Sequence, residues 1–169
     1  MISSEVVTQT WQDMSQVPAH QSPELVEQMQ AEQPAALGYL LYLDDLPFNQ
    51  YEQELVFYIG MVVWQIMKRS DQQLYQVTVE KMIEAQESNL EILERLATND
   101  EYDFIESVQI LIRTYPEPQV LRYVVEAIME DDPEEEGFRD EYKGLAFVHL
   151  KALLDAFVSS LAPRPRLVA

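Results

Sequence analysis

Five glutamates, Glu80, Glu84, Glu87, Glu91 and Glu94, follow one another at steps of four, three, four and three residues. On a helix turning about 100° per residue they share an arc of roughly 80°. Fourteen steps of about 1.5 Å extend the row over about 21 Å. Carboxylates in such a row can do three things. They can form a solvated helix flank, partly offset by Lys81 and Arg95 at helical neighbour spacing. They can dock a basic partner, where complementary charge raises the on-rate and selects the partner. Or some of them can ligate a metal ion.

The third option needs more than one helix. Di-metal sites in helical bundles use Glu-x-x-His motifs on two helices plus facing glutamates, all projecting inward. The two histidines, His20 and His149, do not stand three residues after a glutamate. Glu84-x-x-Glu87 and Glu91-x-x-Glu94 resemble the paired acidic motifs of all-helical, magnesium-dependent nucleotide pyrophosphohydrolases, a resemblance that implies carboxylate-bound magnesium. Both pairs sit on one helix, however, and no second Glu-x-x-Asp stands on a clearly facing one. His149 falls in line with Phe138, Tyr142, Leu145, Ala152 and Ala156, which reads as a buried, hydrogen-bonded structural histidine. Ser159-Ser160 has no nearby base or elbow signature. The scattered Gly38, Gly60, Gly137 and Gly144 form no phosphate-cradling loop. The expectation is no catalytic residue, no metal ligand and no cofactor.

A second candidate contact lies near the start, where Val7, Trp11 and Met14 fall at helical spacing. Trp11 and Met14 could anchor this segment in a partner's groove, or the segment could pack on its own domain. Residues 1–21 read as a flexible arm and residues 163–169, Pro-Arg-Pro-Arg-Leu-Val-Ala, as a basic tail. Between them, residues 22–162 read as one helical domain.

The elements that must position these residues have chemical boundaries. Ser22-Pro23-Glu24 opens a helix toward Leu43 that Pro34 should kink or split. Asn49, with Glu52 three residues on, predicts a capping box for a second helix. From Leu55 to Met67 that helix is apolar on every face and should be central. At thirteen residues the run is shorter than the roughly 20 a bilayer requires. A third helix starts at Ser70 or Asp71 and puts Val79, Met82, Ile83, Leu90, Leu93 and Ala97 in the core. Two more follow, over about 101–114 and 119–130, and Asp132-Pro133 opens a sixth that ends near Leu161. The fold class expected is all-α, a single-domain bundle of about six helices around a central apolar helix near 50–68.

Composition narrows the partners. The chain has 169 residues, thirty acidic against eleven basic, for a net charge of −19, and is 47% hydrophobic. That is too apolar for a disordered acidic tail. The charge disfavours direct contact with nucleic acid or anionic membranes, because phosphates are repelled. With no cysteine there is no disulfide and no thiolate site. The start has no basic and apolar leader, so the default address is cytoplasmic. In size, charge and class the chain is similar to small acidic all-helical chaperones, including those that escort redox enzymes.

Three functions from different classes follow. The first is a non-enzymatic interaction module, an adaptor or dedicated chaperone that offers an acidic helical surface to a protein with a basic surface. The second is an acidic nucleic-acid mimic that blocks the groove of a basic protein. The third is a carboxylate metal-dependent hydrolase. Carboxylates converging in a pocket would favour the hydrolase. A bare apolar patch beside the glutamate row would favour the adaptor. The apolar Leu55–Met67 helix could also form half of a homodimer core.

Overall fold

The computed structural model describes residues 1–18, 21–98, 101–130 and 137–163, with side chains at all of these except 96–98 and 101–104. Within them the chain forms α1 (Ser4–Ser15), α2 (Ser22–Glu32), α3 (Pro34–Leu41), a 3-10 turn (Tyr42–Asp45) and α4 (Gln50–Lys68). It continues as α5 (Val79–Thr98), α6 (Glu101–Thr114), α7 (Pro118–Met129) and α8 (Asp140–Ser159). The bundle is all-α as expected, and its only extended pairing among the described residues is one antiparallel bridge, Leu74 with Leu161. It has two more helices than expected. Pro34 splits the first body helix into α2 and α3, and the expected arm contains α1. His20, the cap at 99–100, the acidic run after Glu130 and the tail from 164 lie outside the described residues.

The capping box stands where the sequence places it. Asn49 Oδ1 accepts the Glu52 amide at 2.8 Å, and Glu52 Oε1 accepts the Asn49 amide at 2.9 Å. The same carboxylate also accepts the Arg139 backbone N–H at 2.9 Å and the Arg139 guanidinium at 2.6 Å, which ties the start of α4 to the start of α8. Burial pushes the Glu52 carboxyl up, but these bonds outweigh it and hold the group below its ordinary value. The apolar faces of α4 are covered within one chain, by α1, α3, α7 and α8. At Gly60 an added Cβ would sit 2.6 Å from the Leu40 side chain, so α3 and α4 meet closely there. Central position is shared with α8, where every residue from Ala146 to Leu154 is buried. Among the described residues no helix is long and apolar enough to cross a membrane.

Two local expectations, both of helix starts, are corrected. The helix expected to begin at Ser70 or Asp71 begins at Val79. Residues before it run extended because the buried Gln33 amide clamps their backbone, donating to Tyr75 O at 3.1 Å and accepting from Val77 N at 2.8 Å. Tyr75 N also donates to Ser160 O at 2.9 Å, and Ala162 N to Gln73 O at 2.8 Å. The helix expected to begin near Asp132 is seen from Asp140, with 131–136 outside the described residues. Of the two readings of the first segment, packing on its own domain is the one seen, with α1 docked on α4 and α7. Val7 and Thr10 are buried, and the Ile2 amide donates to the buried Glu117 carboxylate at 2.8 Å.

Candidate interaction surface

The face that α5 buries differs from the one its apolar residues mark. Met82, Ala85 and Asn89 are buried against the body, while Val79, Ile83 and Leu90 stand 59%, 49% and 51% exposed. At about 100° per residue, the buried face is rotated by roughly a quarter turn from the expected one. The cause is a polar cluster between α5 and α8. Asn89 Nδ2 donates to Asp155 at 2.8 Å, and Lys151 Nζ donates to Asn89 Oδ1 at 3.0 Å and to Asp155 at 2.9 Å. Tyr115 donates to the second Asp155 oxygen, and Lys151 lies 5.5 Å from the Tyr115 ring centroid. Burial, then the Asp155 charge and its hydrogen bond, push the Tyr115 hydroxyl far above its ordinary value. A buried Lys and Asn left without these partners would be strongly unfavourable, so the cluster fixes which side of α5 faces α8.

That rotation places the five glutamates outward. Glu80, Glu84, Glu87, Glu91 and Glu94 are all exposed. None makes a side-chain hydrogen bond or ion pair with a described residue. Lys81, expected to offset them, instead donates to Ser159 O at 2.8 Å. Around α5 the order is thus buried face, exposed aliphatic stripe, then glutamate row. The stripe lies between the other two.

Val79 and Ile83 of the stripe, with Met82 and Gln86, form one wall of a groove of about 730 Å³, and Leu90 lies beyond its lining. Gly38 and Tyr39 of α3 and Tyr42 of the 3-10 turn form the other wall, and His149 of α8 lies beneath. Tyr42 is 72% exposed. Gly38 has open space where its Cβ would be. Asp45 lines the groove, and none of its lining residues is Lys or Arg. His149 is 8% exposed and stacks on Tyr39 with ring centroids 4.1 Å apart. The expected hydrogen bond to its side chain is missing at Nε2, which has no partner among the described residues. The Tyr39 hydroxyl donates to the His149 backbone carbonyl at 2.9 Å. Burial pushes the imidazole down to about 4, so it is neutral at pH 7.

The structure does not bring Trp11 and Met14 to this surface, because α1 packs on α4 and α7 whereas α5 packs on α8 and α3. Met14 is half-buried against the core and Trp11 is exposed. Arg69 at the end of α4 holds α1 through Asp13 at 2.9 Å and the buried Thr10 at 3.1 Å. Among the described residues no three His, Asp or Glu side chains converge as a metal site requires. A second apolar cleft, of about 500 Å³ between α6 and α7, differs in sign, because Arg113 and Arg122 line it. Sequence reasoning missed the groove because it assigned Val79, Ile83 and Leu90 to the core. The signal present was Asn89 opposite the expected solvent side: an amide repeating in register with Met82 and Ala85 marks a polar contact across a helix pair.

No protein-family model, no curated protein and no solved structure matches the chain.

Proposed function

We propose that the protein is a non-enzymatic interaction module, an adaptor or dedicated chaperone, that binds another protein through the outer face of α5. One observation carries this reading: an exposed aliphatic stripe, Val79, Ile83 and Leu90, runs directly beside an unpaired row of five glutamates. Exposed apolar side chains that line a groove mark contact sites on soluble domains. A flanking charged row selects the sign of the partner and its register. The nucleic-acid-mimic reading has use for the glutamates but none for the aliphatic stripe. The hydrolase reading needs convergent ligands, and the glutamates stand in a row on one helix.

The test is affinity isolation with the wild-type chain as bait at low and high salt. A partner captured at low salt and released at high salt supports the reading, because exposed charges are screened within about 8–10 Å at physiological ionic strength. No partner at either salt, or capture indifferent to salt, contradicts it. Displacement of the partner by DNA would transfer support to mimicry.

A further inference from the structure

We propose that the groove between α3 and α5 seats an amphipathic helix of the partner protein, with its apolar side on Val79 and Ile83 in the groove and on the exposed Leu90 beyond its end, and with Lys or Arg along its flanks. The inference rests on the interaction-module reading and adds the shape and charge of the occupant.

Shape comes from α5. Val79, Ile83 and Leu90 project along one line over eleven helical steps, about 16 Å or three turns. This line, apolar except for the exposed Gln86 between Ile83 and Leu90, runs past an aromatic wall at Tyr39 and Tyr42 and matches a partner helix read at i, i+4, i+7 and i+11. Gly38 leaves the opposite wall open, so a partner backbone or side chain can approach α3 there. An extended peptide would need an unpaired strand edge for its backbone groups, and both walls are helical.

Charge comes from both rims. The glutamate row borders the stripe on α5, and the exposed Asp44 and Asp45 border the groove on the other side. Among the described residues no Lys or Arg lines it. A second copy of the chain would bring another acidic surface of the same −19 protein against these rims, which like-charge repulsion opposes. An acidic or neutral helix would leave the carboxylates uncompensated. A basic flank answers both rims. His149 adds a polar point under the apolar stripe, a nine-tenths buried side chain whose Nε2 has no hydrogen-bond partner among the described residues. A polar group at the middle of the partner's apolar line would fix its register.

The experiment uses the full chain and three labelled synthetic peptides of about 16 residues, enough for the groove plus about a turn at each end. One has leucines at i, i+4, i+7 and i+11 with lysine flanks. The second has the same composition in scrambled order, and the third replaces the lysines by glutamates. Fluorescence anisotropy should show the ordered basic peptide binding about tenfold or more tightly than either control. The double substitution Ile83→Gln/Leu90→Gln should weaken it about tenfold or more. Both positions are half-exposed, and thermal melting checks that folding is retained. Gly38→Gln gives an independent block of the groove, because its side chain enters open space. Equal binding of the ordered and scrambled basic peptides would overturn the helix-in-groove proposal, as would binding indifferent to both sets of substitutions. A partner captured in a salt-dependent way by wild-type and Ile83→Gln/Leu90→Gln baits alike would refute the groove while leaving the interaction module standing.

Discussion

Glu52, Glu117 and Asp155 are carboxylates that the fold consumes, whereas Glu80, Glu84, Glu87, Glu91 and Glu94 are carboxylates that it leaves free. Glu52 accepts from an amide pair and a guanidinium, Glu117 from the Ile2 amide, and Asp155 from Lys151, Asn89 and Tyr115. Each of these joins two elements distant in sequence. The five on α5 form no side-chain hydrogen bond or ion pair with a described residue, and the lysine that could have neutralised them is turned to Ser159. Identical chemistry thus does opposite work in the carboxylates that join elements and in those of the α5 row. Where a carboxylate is buried and bonded, removing it breaks architecture. Where it is bare and beside exposed aliphatic side chains, removing it changes what the surface can hold.

The largest effect should come from the buried set. Glu52→Ala leaves Arg139 and two backbone amides without their acceptor and should lower stability by about 3 kcal/mol in denaturant titration. A loss below about 1 kcal/mol would place Glu52 with the surface carboxylates instead. Lys151→Met, which removes the donor shared by Asn89 and Asp155, should lower stability by about 2 kcal/mol. It should also loosen the hold of α8 on α5, seen as faster amide exchange in α5 than in α4.

His149 adds a pH-dependent comparison. Its folded value lies near 4, below the ordinary 6.5, so the unfolded chain binds the extra proton between those values. Stability from this residue is therefore full above about pH 6.5 and declines as pH falls toward 4. The wild type minus His149→Phe difference should shrink by on the order of 2 kcal/mol across that window. Taking the difference cancels the common relief of acidic self-repulsion. A flat difference would mean that the histidine is not held in its neutral form.

Smaller still is Gly38→Ala. With open space at the added Cβ and a helical backbone, it should stabilise the chain by roughly 0.5–1 kcal/mol in thermal melting; destabilisation would show that the groove wall is filled. The smallest stability effect belongs to the glutamate row. Replacing all five by Gln should move stability by no more than about 1 kcal/mol, toward higher values, because like charges at helical neighbour spacing repel. The same variant should lose salt-dependent partner capture.

Which parts were legible in the sequence follows from the range of the causes. The Asn49–Glu52 cap, the break at Pro34 and the apolar α4 arise within a few residues, and their types and spacing announce them. The start of α5 does not, because Gln33 sets it from 42 and 44 residues away. Nor does its rotation, which depends on Lys151 and Asp155 at separations of 62 and 66 residues from Asn89. The docking of the first residues depends on Glu117, 115 residues from Ile2. For the candidate surface, periodicity identified the glutamate row. The groove beside it became visible only once α8 had chosen which side of α5 to bury.

Amide chemical-shift mapping on the full chain reports where the partner helix sits. Addition of the basic amphipathic peptide should shift resonances over residues 79–90, around Gly38 and Tyr42, and at His149, with little change in α1, α6 or α7. Shifts centred on the arginine-lined cleft between α6 and α7, or spread evenly over the acidic surface, would contradict that placement.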